Sequence, residues 1–447
     1  FHAYVLNSEY LFHDGGYFEP LRPPLVPFIM GVLGFAGRSV AEYGYIIFAS
    51  VLLAVGAFRL SRSLRVNASC LYAITCTFYV LTIGLTDGTE LLALGFSYLF
   101  ASALIEDKLA GHWLALMVLS RYTSLAFIPL LLLRKKQVWK DVGIFALLMF
   151  PWLLYDYLTY GNWFASIADA YANNIFFRDY IHTPIEARHF FHVVNLLLPF
   201  TLIGVARRIL ENIRGIRRRD IIFFALALIT IIGYVNIPIK SSRYLFALAL
   251  PFAVWALEGV QGVSLLFDKR AVKWVCGALF AVGFIIALQS IASSEKNESI
   301  YRAAIKDVAV LGSCSVMSNA WVELSYYGLT AQDFPRKELV NKSIAAGELI
   351  VLFPHIGEPD YTKDEEFLKN FHVSIRREKY FVLGDGCGVP RKNDELFVKK
   401  LADTIEQIQG YRTEERPCSL LFSNILARQV CKVLNPKQRG NGTVVLA

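Results

Sequence analysis

The chain has 447 residues, of which 55% are hydrophobic and 18% are charged, and its formal net charge is +8. Soluble domains carry about 25% charged residues, so this composition excludes an ordinary soluble protein and indicates a polytopic membrane protein. Basic residues collect in a few loops, as they do in membrane proteins in general, so the net charge gives no support for nucleic-acid binding.

The hydrophobic character ends near Ser294, where the sequence turns polar with mixed charges. This change predicts a multi-span membrane domain over residues 1–293, including a first loop over residues 1–38, and a soluble domain over residues 294–447. Most hydrophobic segments before the boundary approach the ~17–25 residues that cross a hydrocarbon core, but the fourth and fifth are shorter and are predicted to turn back near Arg121 and Tyr122. The ten segments are 40–58, 68–85, 91–105, 112–120, 124–133, 142–157, 190–206, 221–237, 244–260 and 272–291.

Lys and Arg residues distinguish the two sides of the membrane, since seventeen lie in one set of loops and seven in the other. The positive-inside rule assigns the richer set to the cytoplasm. The N-terminal stretch, the 86–90 joint, the 161–189 loop and the C-terminal domain are therefore predicted to lie outside. An outside start without a signal peptide also leads us to expect a further helix upstream of Phe1.

Residues 1–38 combine an aromatic stretch with a basic turn. The aromatic residues around Tyr4 predict a short helix along the membrane surface, where aromatic rings prefer to lie. Arg22 follows this stretch, and Pro23 and Pro24 impose an extended entry into the next apolar run.

An acidic joint, Thr86-Asp87-Gly88-Thr89-Glu90, separates the second and third segments. A carboxylate at such a joint lies at the membrane surface, where a substrate can reach it. We expect Asp87 to line a cavity near Arg22. Capping of the next helix by Thr86 or Asp87 is the alternative role.

Three cations lie on the predicted outer face, and two of them, Lys240 and Arg243, run against the charge distribution. Arg121 lies at the turn between the short helices, and Lys240 and Arg243 follow Pro238, with Tyr244 beside them. Positive charge at this face indicates an anionic partner. Anchoring of long basic side chains at the membrane interface is the alternative.

The C-terminal domain alternates predicted strands and helices, which favours an α/β layer structure. Strands are predicted at 308–311 and 349–353, a hairpin at 373–383, and helices at 393–409 and 420–433. Its cysteines are Cys314, Cys387, Cys418 and Cys431. Their spacing fits no zinc pattern, and outside the cell three disulfide connectivities stay open.

Five short motifs occur in a fixed order: Leu21-Arg22-Pro23-Pro24-Leu25, Thr86-Asp87-Gly88, Ser120-Arg121-Tyr122-Thr123, Pro151-Trp152-Leu153-Leu154-Tyr155 and Ser242-Arg243-Tyr244-Leu245. In this order the chain resembles, over about residues 1–260, the GT-C glycosyltransferases of the protein O-mannosyltransferase and aminoarabinose transferase type. The resemblance implies a polytopic α-helical membrane domain followed by a small extracytoplasmic α/β domain. It also implies a multi-pass protein of a prokaryotic cell membrane.

The activity implied by the resemblance is transfer of a hexose or pentose from a polyprenyl-phosphate carrier, such as dolichyl phosphate, to a protein, lipid or glycan acceptor at the outer face. Asp87 matches the family's second outer-face acid and is the candidate catalytic residue. The family's first-loop acid falls at or before Phe1, with Glu19 and Asp14 as weaker substitutes. The candidate substrate-binding residues are Arg22, Arg121, Lys240, Arg243 and Tyr244.

The chemistry of glycosyl transfer needs these residue types. A carboxylate accepts or orients the proton of the acceptor hydroxyl, and cations stabilise a phosphate leaving group as it gains charge. A divalent cation is compatible with the site, although the sequence shows no dedicated ligand cluster.

Three alternatives remain: a secondary transporter, an oligosaccharyltransferase-like enzyme and a membrane anchor that displays the C-terminal domain. The missing repeated halves count against the first, the missing Trp-Trp-Asp motif against the second, and the ten segments and outer-face cations against the third.

Overall fold

A computed structural model describes residues 1–13, 18–86, 88–134, 137–171, 184–212, 217–237, 240–264, 269–312, 315–335, 337–356 and 360–384. Two compact units divide these residues. The membrane unit consists of Phe1 and the described residues of Pro20–Leu288, and the sheet unit consists of His2–Glu19 and the described residues from Gln289 onward. The boundary between them falls within one helix of 43 residues, Lys269–Leu311.

The first fourteen helices cover most of the described chain before residue 312. In chain order they are α1 (His2–Phe12), α2 (Leu25–Leu33), α3 (Arg38–Leu64), α4 (Ala68–Thr75), α5 (Phe78–Thr86), α6 (Glu90–Ile105), α7 (Gly111–Ser120), α8 (Val138–Tyr160), α9 (Ala165–Tyr171), α10 (Ala187–Val194), α11 (Leu198–Asn212), α12 (Arg218–Asn236), α13 (Ala249–Ser264) and α14 (Lys269–Leu311). Short 3₁₀ helices join several of them, and the longer ones are Tyr122–Arg134 and Ser242–Leu248.

Five helical stretches in the described part of the chain are long and apolar enough to cross a membrane, or six if one bent pair forms a single span. The five are Arg38–Leu64, Val138–Tyr160, Ala187–Asn212, Arg218–Asn236 and Ser242–Val263. The remaining predicted segments are shorter apolar helices, among them Glu90–Ile105, Gly111–Ser120 and Lys273–Gln289.

The predicted hydrophobic segment 68–85 is divided into two helices, because α4 and α5 meet at a bend of 68°. The break lies between Thr75 and Phe78, and the Thr77 side chain accepts a hydrogen bond from the Val80 backbone N–H at 3.3 Å. A threonine that caps a new helix satisfies one of the N–H groups left open at its start, so it stabilises the break.

A helix break lies at Arg121, where the sequence predicts that the chain turns back. Helix α7 ends at Ser120, and Arg121 has an extended backbone with φ −158° and ψ 109°. The chain continues as the 3₁₀ helix Tyr122–Arg134, which contains Pro129. Proline removes one backbone donor and clashes with a regular α-helix, which accounts for the tighter geometry of this short apolar segment.

A buried ion pair anchors the start of α7. The Arg134 Nε lies 3.1 Å from Asp141 Oδ2, and both side chains are fully buried. The other oxygen of Asp141 accepts the backbone N–H groups of Ala110 and Gly111 at 2.6 and 2.9 Å. A carboxylate at a helix N-terminus is favoured by the helix dipole, so this contact fixes the helix that leads to Arg121.

The sheet unit contains a mixed five-stranded sheet. Its strands are β1 (Val316–Ser318), β2 (Gln332–Asp333), β3 (Leu349–Leu352), β4 (Val373–Arg376) and β5 (Phe381–Leu383), and its further helices are α15 (Trp321–Tyr326), α16 (Val340–Ala345) and α17 (Glu365–Leu368). The strand order is β2-β1-β3-β5-β4. Strand β1 pairs in parallel with β2 and β3, whereas β5 is antiparallel to β3 and β4.

Strand β3 lies at the centre and is buried on both faces. Leu349 and Val351 pack in one core cluster, with Val308 of α14, and Ile350 and Leu352 pack in the other. This alternation follows from the two-residue period of a strand. Helices therefore cover both faces of the sheet, as expected for strands that read as a continuous apolar run.

The strand predicted at 349–353 and the hairpin predicted at 373–383 are confirmed by β3 and by the β4–β5 pair. The strand predicted at 308–311 is wrong, because these residues end α14. Tyr301, Ala304 and Val308 are buried at helical spacing, and a four-residue apolar run alone does not separate a strand from a helix end.

The helices predicted at 393–409 and 420–433 lie outside the described residues, as do Cys314, Cys387, Cys418 and Cys431. In the described part of the chain, Cys70, Cys76 and Cys276 are free and buried. The architecture is a polytopic α-helical membrane domain with a small α/β domain, as predicted.

Candidate functional site

Glu90 is the centre of the candidate site and the first residue of α6. Its side chain is fully buried, and the preceding turn has Gly88 at φ +87°, a conformation that favours glycine. The hydroxyl of Tyr45, from α3, donates to the Gly88 carbonyl. The turn and the hydrogen bond from α3 thus fix the position of Glu90 at the start of α6.

Both oxygens of the Glu90 carboxylate are occupied by donors. Oε1 accepts from Arg243 Nε at 2.6 Å and lies 3.3 Å from Arg121 Nη1. Oε2 accepts from the Thr89 hydroxyl at 2.9 Å and from the Thr89 backbone N–H at 3.2 Å. Three hydrogen bonds and one close guanidinium contact therefore engage both oxygens of the carboxylate.

The two arginines come from parts of the chain that are far apart in sequence. Arg121 lies between α7 and the 3₁₀ helix Tyr122–Arg134, and Arg243 is the second residue of the 3₁₀ helix Ser242–Leu248. Arg121 Nη2 also donates to the Arg243 carbonyl at 3.1 Å. Tyr79 of α5 donates its hydroxyl to the Ser242 carbonyl, which holds this segment in place.

A cavity of about 90 Å³ adjoins the cluster. Residues of α6, α12 and the two long 3₁₀ helices line it. Charged and polar lining groups include Glu90, Arg121, Ser124, Thr230, Tyr234 and Tyr244, and most of the other lining side chains are apolar. Such a cavity suits an amphipathic ligand with an anionic group.

Two crystal structures of ArnT from Cupriavidus metallidurans are similar to this chain. The structure bound to undecaprenyl phosphate has a TM-score of 0.56 at 12% sequence identity, and the match covers 86% of this chain and 92% of that one. The apo structure has a TM-score of 0.55 at 13% identity, with the same coverage. The chain has the ArnT fold.

ArnT is an aminoarabinose transferase of the GT-C glycosyltransferases, so the resemblance read from the sequence motifs is confirmed for the fold. Identity as low as 12–13% carries the fold and not the individual residues. No protein-family model and no curated protein sequence matches the chain. Roles for its residues therefore come from its own geometry.

Three of the residues predicted from the sequence meet at one place in the ArnT fold. Arg121 and Arg243 share the Glu90 carboxylate, and Tyr244 lines the adjoining cavity. Tyr244 also donates its backbone N–H to the Ser241 carbonyl at 3.1 Å, within the turn that begins the 3₁₀ helix.

Lys240 takes a different position from the two arginines. Its Nζ donates to the Val235 carbonyl at 2.9 Å and to the Ile237 carbonyl, at the C-terminal end of α12. It also lies 5.8 Å from the centre of the Tyr234 ring. A cation is favoured at a helix C-terminus, so these contacts stabilise the end of α12, and binding of a carrier by Lys240 stays a prediction.

The other predicted residues are not part of the described cluster. Arg22 lies, half-buried, in the turn before α2. Glu19 is buried, and the Asn7 amide holds its backbone through hydrogen bonds of 2.8 and 2.9 Å. Asp87 and Asp14 lie outside the described residues, so the predicted proximity of Asp87 to Arg22 stays a prediction.

Glu90 is the residue that the sequence did not single out, although it closes the acidic joint. A signal was present, because Glu90 opens an otherwise apolar run, and a carboxylate in such a position indicates a charged partner. Its partners are 31 and 153 residues away, and local patterns do not reveal contacts of that separation. Among the described residues, no group of three or more His, Cys, Asp or Glu side chains could hold a metal ion.

Proposed function

We propose that this protein is a membrane glycosyltransferase that moves a sugar from a polyprenyl-phosphate carrier to an acceptor. The observation that carries the proposal is the Glu90–Arg121–Arg243 cluster beside a largely apolar cavity, within the ArnT fold. The related ArnT crystal structure contains undecaprenyl phosphate, a lipid with one anionic head and a long apolar chain. The same two properties characterise the ligand that this cavity suits.

Guanidinium groups fit the head group of such a carrier. Arginine presents a planar set of donors that can hold two phosphate oxygens, and it stays charged under all ordinary conditions. When the glycosidic bond to phosphate breaks, the phosphate gains negative charge, and fixed cations stabilise this change. Arg121 and Arg243 would bind the phosphate, with Tyr244 as a further donor.

The remaining elements of the proposal follow from the sequence. Asp87 is the candidate base toward the acceptor hydroxyl, and the charge distribution assigns the site and the C-terminal domain to the outer face. The acceptor is a protein, a lipid or a glycan, and the donor sugar is a hexose or a pentose. Arg22 and Lys240 are further candidates for contact with the donor.

The test uses purified full-length protein in nanodiscs. Undecaprenyl phosphate should bind, and a panel of undecaprenyl-phosphate hexoses and pentoses should include a donor whose sugar is transferred. Arg243→Ala should lower transfer roughly 30- to 1,000-fold, since loss of one charged hydrogen bond to a developing anion costs about 2–4 kcal/mol.

Arg207→Ala is the matched control. Arg207 also pairs with a glutamate, Glu211, at 2.9 Å, but it lies in α11 and is not part of the Glu90 cluster. This variant should transfer sugar at the wild-type rate. A folded protein that binds no undecaprenyl phosphate, or an Arg243→Ala variant with normal transfer, would contradict the proposal.

A further inference from the structure

The charges of the three ionised side chains in the cluster do not sum to zero. Arg121 and Arg243 contribute two positive charges and Glu90 contributes one negative charge, so the three groups together carry a net charge of +1. The Glu90 side chain is fully buried, whereas those of Arg121 and Arg243 are 16% and 37% exposed. Because water screens a buried carboxylate poorly, Glu90 strongly lowers the positive potential at the cavity.

The reaction proposed above changes the charge on the carrier. The donor is a phosphodiester with one negative charge. In transfer, the bond between the anomeric carbon and the phosphate oxygen breaks, and the electron pair stays on that oxygen. A new bond forms between the anomeric carbon and the acceptor oxygen, whose proton passes to a base. The product is a phosphate monoester, which carries about −1.5 to −2 at neutral pH.

We propose that Glu90 is a specificity-determining residue that sets the charge of the phosphate site. This inference rests on the proposed function. With Glu90 in place, the cluster's charge of +1 matches the phosphodiester donor. Without it, a charge of +2 would match the monoester product and hold it in the site. Glu90 therefore favours binding of donor over product and speeds release of the spent carrier.

The geometry separates this role from general-base catalysis. Three hydrogen bonds and the close Arg121 guanidinium engage both oxygens of Glu90, so the carboxylate would have to give up one of these contacts to accept a proton from an acceptor hydroxyl. Glu90 also begins an α-helix, where the dipole stabilises its ionised form. It is held as a permanent negative charge, which is what a charge-setting residue needs.

Glu90→Gln removes the charge and keeps the shape. The glutamine oxygen can still accept from Arg243 Nε, and its amide can donate to the Thr89 hydroxyl. We expect the affinity of this variant for undecaprenyl phosphate to be higher than that of wild type by a factor of roughly ten or more. Product inhibition should strengthen by a similar factor and kcat should fall, while KM for the donor changes less.

Two controls accompany this variant. Glu90→Asp keeps the negative charge and should leave the affinity for undecaprenyl phosphate near the wild-type value. Asp141→Asn removes a different buried carboxylate that is also paired with an arginine and does not line the cavity. It should not tighten binding, so any general effect of losing a buried ion pair is separated from the charge at the site.

A double variant covers the case in which Glu90→Gln does not fold. Arg121→Gln alone lowers the cluster's charge to zero and should weaken undecaprenyl phosphate binding. Arg121→Gln combined with Glu90→Gln returns the charge to +1 and should restore much of the affinity. Removing both partners of a buried pair also costs less stability than removing one.

The outcomes are distinct. Affinity is measured by fluorescence titration of purified protein with undecaprenyl phosphate, and folding by size-exclusion chromatography. If folded Glu90→Gln binds undecaprenyl phosphate no more tightly than wild type, or if the double variant does not regain affinity, the role proposed for Glu90 is overturned. The proposed function is not affected by either result. Wild-type protein that binds no undecaprenyl phosphate overturns the proposed function, and with it this inference.

Discussion

Asp307 joins two elements of the sheet unit through its carboxylate. It lies on α14 and accepts hydrogen bonds from Arg377 Nε at 2.8 Å, from Arg377 Nη2 at 3.2 Å and from the Tyr380 hydroxyl at 2.7 Å. Both donors belong to the turn of the β4–β5 hairpin. Hydrogen bonds from Arg377 and Tyr380 lower the pKa of Asp307 below its ordinary value of 3.8. Burial raises the pKa of Tyr380 to about 12, so its hydroxyl stays a donor throughout acid titration.

We expect a pH-dependent loss of stability from this contact. Because the pKa of Asp307 is lower in the folded state than in the unfolded state, its contribution is present above pH 3.8 and is lost as the pH falls through the folded pKa. The unfolding temperature of wild type should therefore fall more steeply below this pH than that of Asp307→Asn. Because the Arg377 side chain is largely exposed, water screens its interaction with Asp307, and the difference should be modest.

Glu378→Gln is the control for that titration. Glu378 lies in the same turn and pairs with Lys379, but its side chain is 86% exposed. The unfolding temperature of the Glu378→Gln variant should follow the wild-type curve across the acid range. Parallel curves for wild type and Asp307→Asn, measured by thermal unfolding in nanodiscs between about pH 3 and 7, would show that Asp307 contributes nothing.

Helices α11 and α13 show how small residues determine the packing of an element. A Cβ atom on Gly204 would lie 1.9 Å from the Trp255 carbonyl oxygen, and one on Gly259 would lie 1.9 Å from the Phe200 carbonyl oxygen. Backbones approach this closely only where side chains are absent, a feature of helix packing in membranes. The close contact lies beside the hydrogen bonds between Arg208 and the neighbouring Glu258.

Gly204→Ala should separate these two helices and destabilise the membrane unit by about 1–3 kcal/mol, because the new methyl group meets backbone that cannot rotate away. Gly277→Ala is the matched control. Gly277 lies within α14, and a Cβ there would have no atom within 4 Å. The control should be neutral or slightly stabilising, since alanine favours a helix more than glycine does. Equal unfolding temperatures for the two variants in detergent would contradict the close packing of α11 on α13.

The whole molecule should have a fixed orientation in the membrane, because seventeen Lys and Arg residues lie in one predicted set of loops and seven lie in the other. An engineered cysteine at Lys363, in the sheet unit, should react with a membrane-impermeant maleimide added to intact cells. One at Arg207, an exposed position near the end of α11, should react only after the membrane is opened. Both would be compared with labelling of the native cysteines in the wild-type chain. The opposite pattern would reverse the predicted topology.

Composition and short-range pattern determined much of this protein. The polytopic membrane domain, the α/β domain, the break at Arg121 and strand β3 all follow from apolar runs, turn residues and charge, which act within about ten residues. Predictions from these patterns differed from the structure where a single residue determined how a helix begins or continues. Thr77 capped a new helix within an apolar run, and Val308 continued a helix where its neighbours read as a strand.

The candidate site was only partly determined in this way. Arg243 was notable in the sequence because a cation on the predicted outer face opposes the charge distribution, and Arg121 and Tyr244 were notable because they belong to the family motifs. Their assembly around Glu90 was decided by tertiary structure, since Glu90 and Arg243 are 153 residues apart and meet only after the helices pack. The Glu90 carboxylate is buried in the packed structure, and an ionised group removed from water must be paired with an opposite charge. No local pattern carries that information, and only the packed helices bring the three charges together.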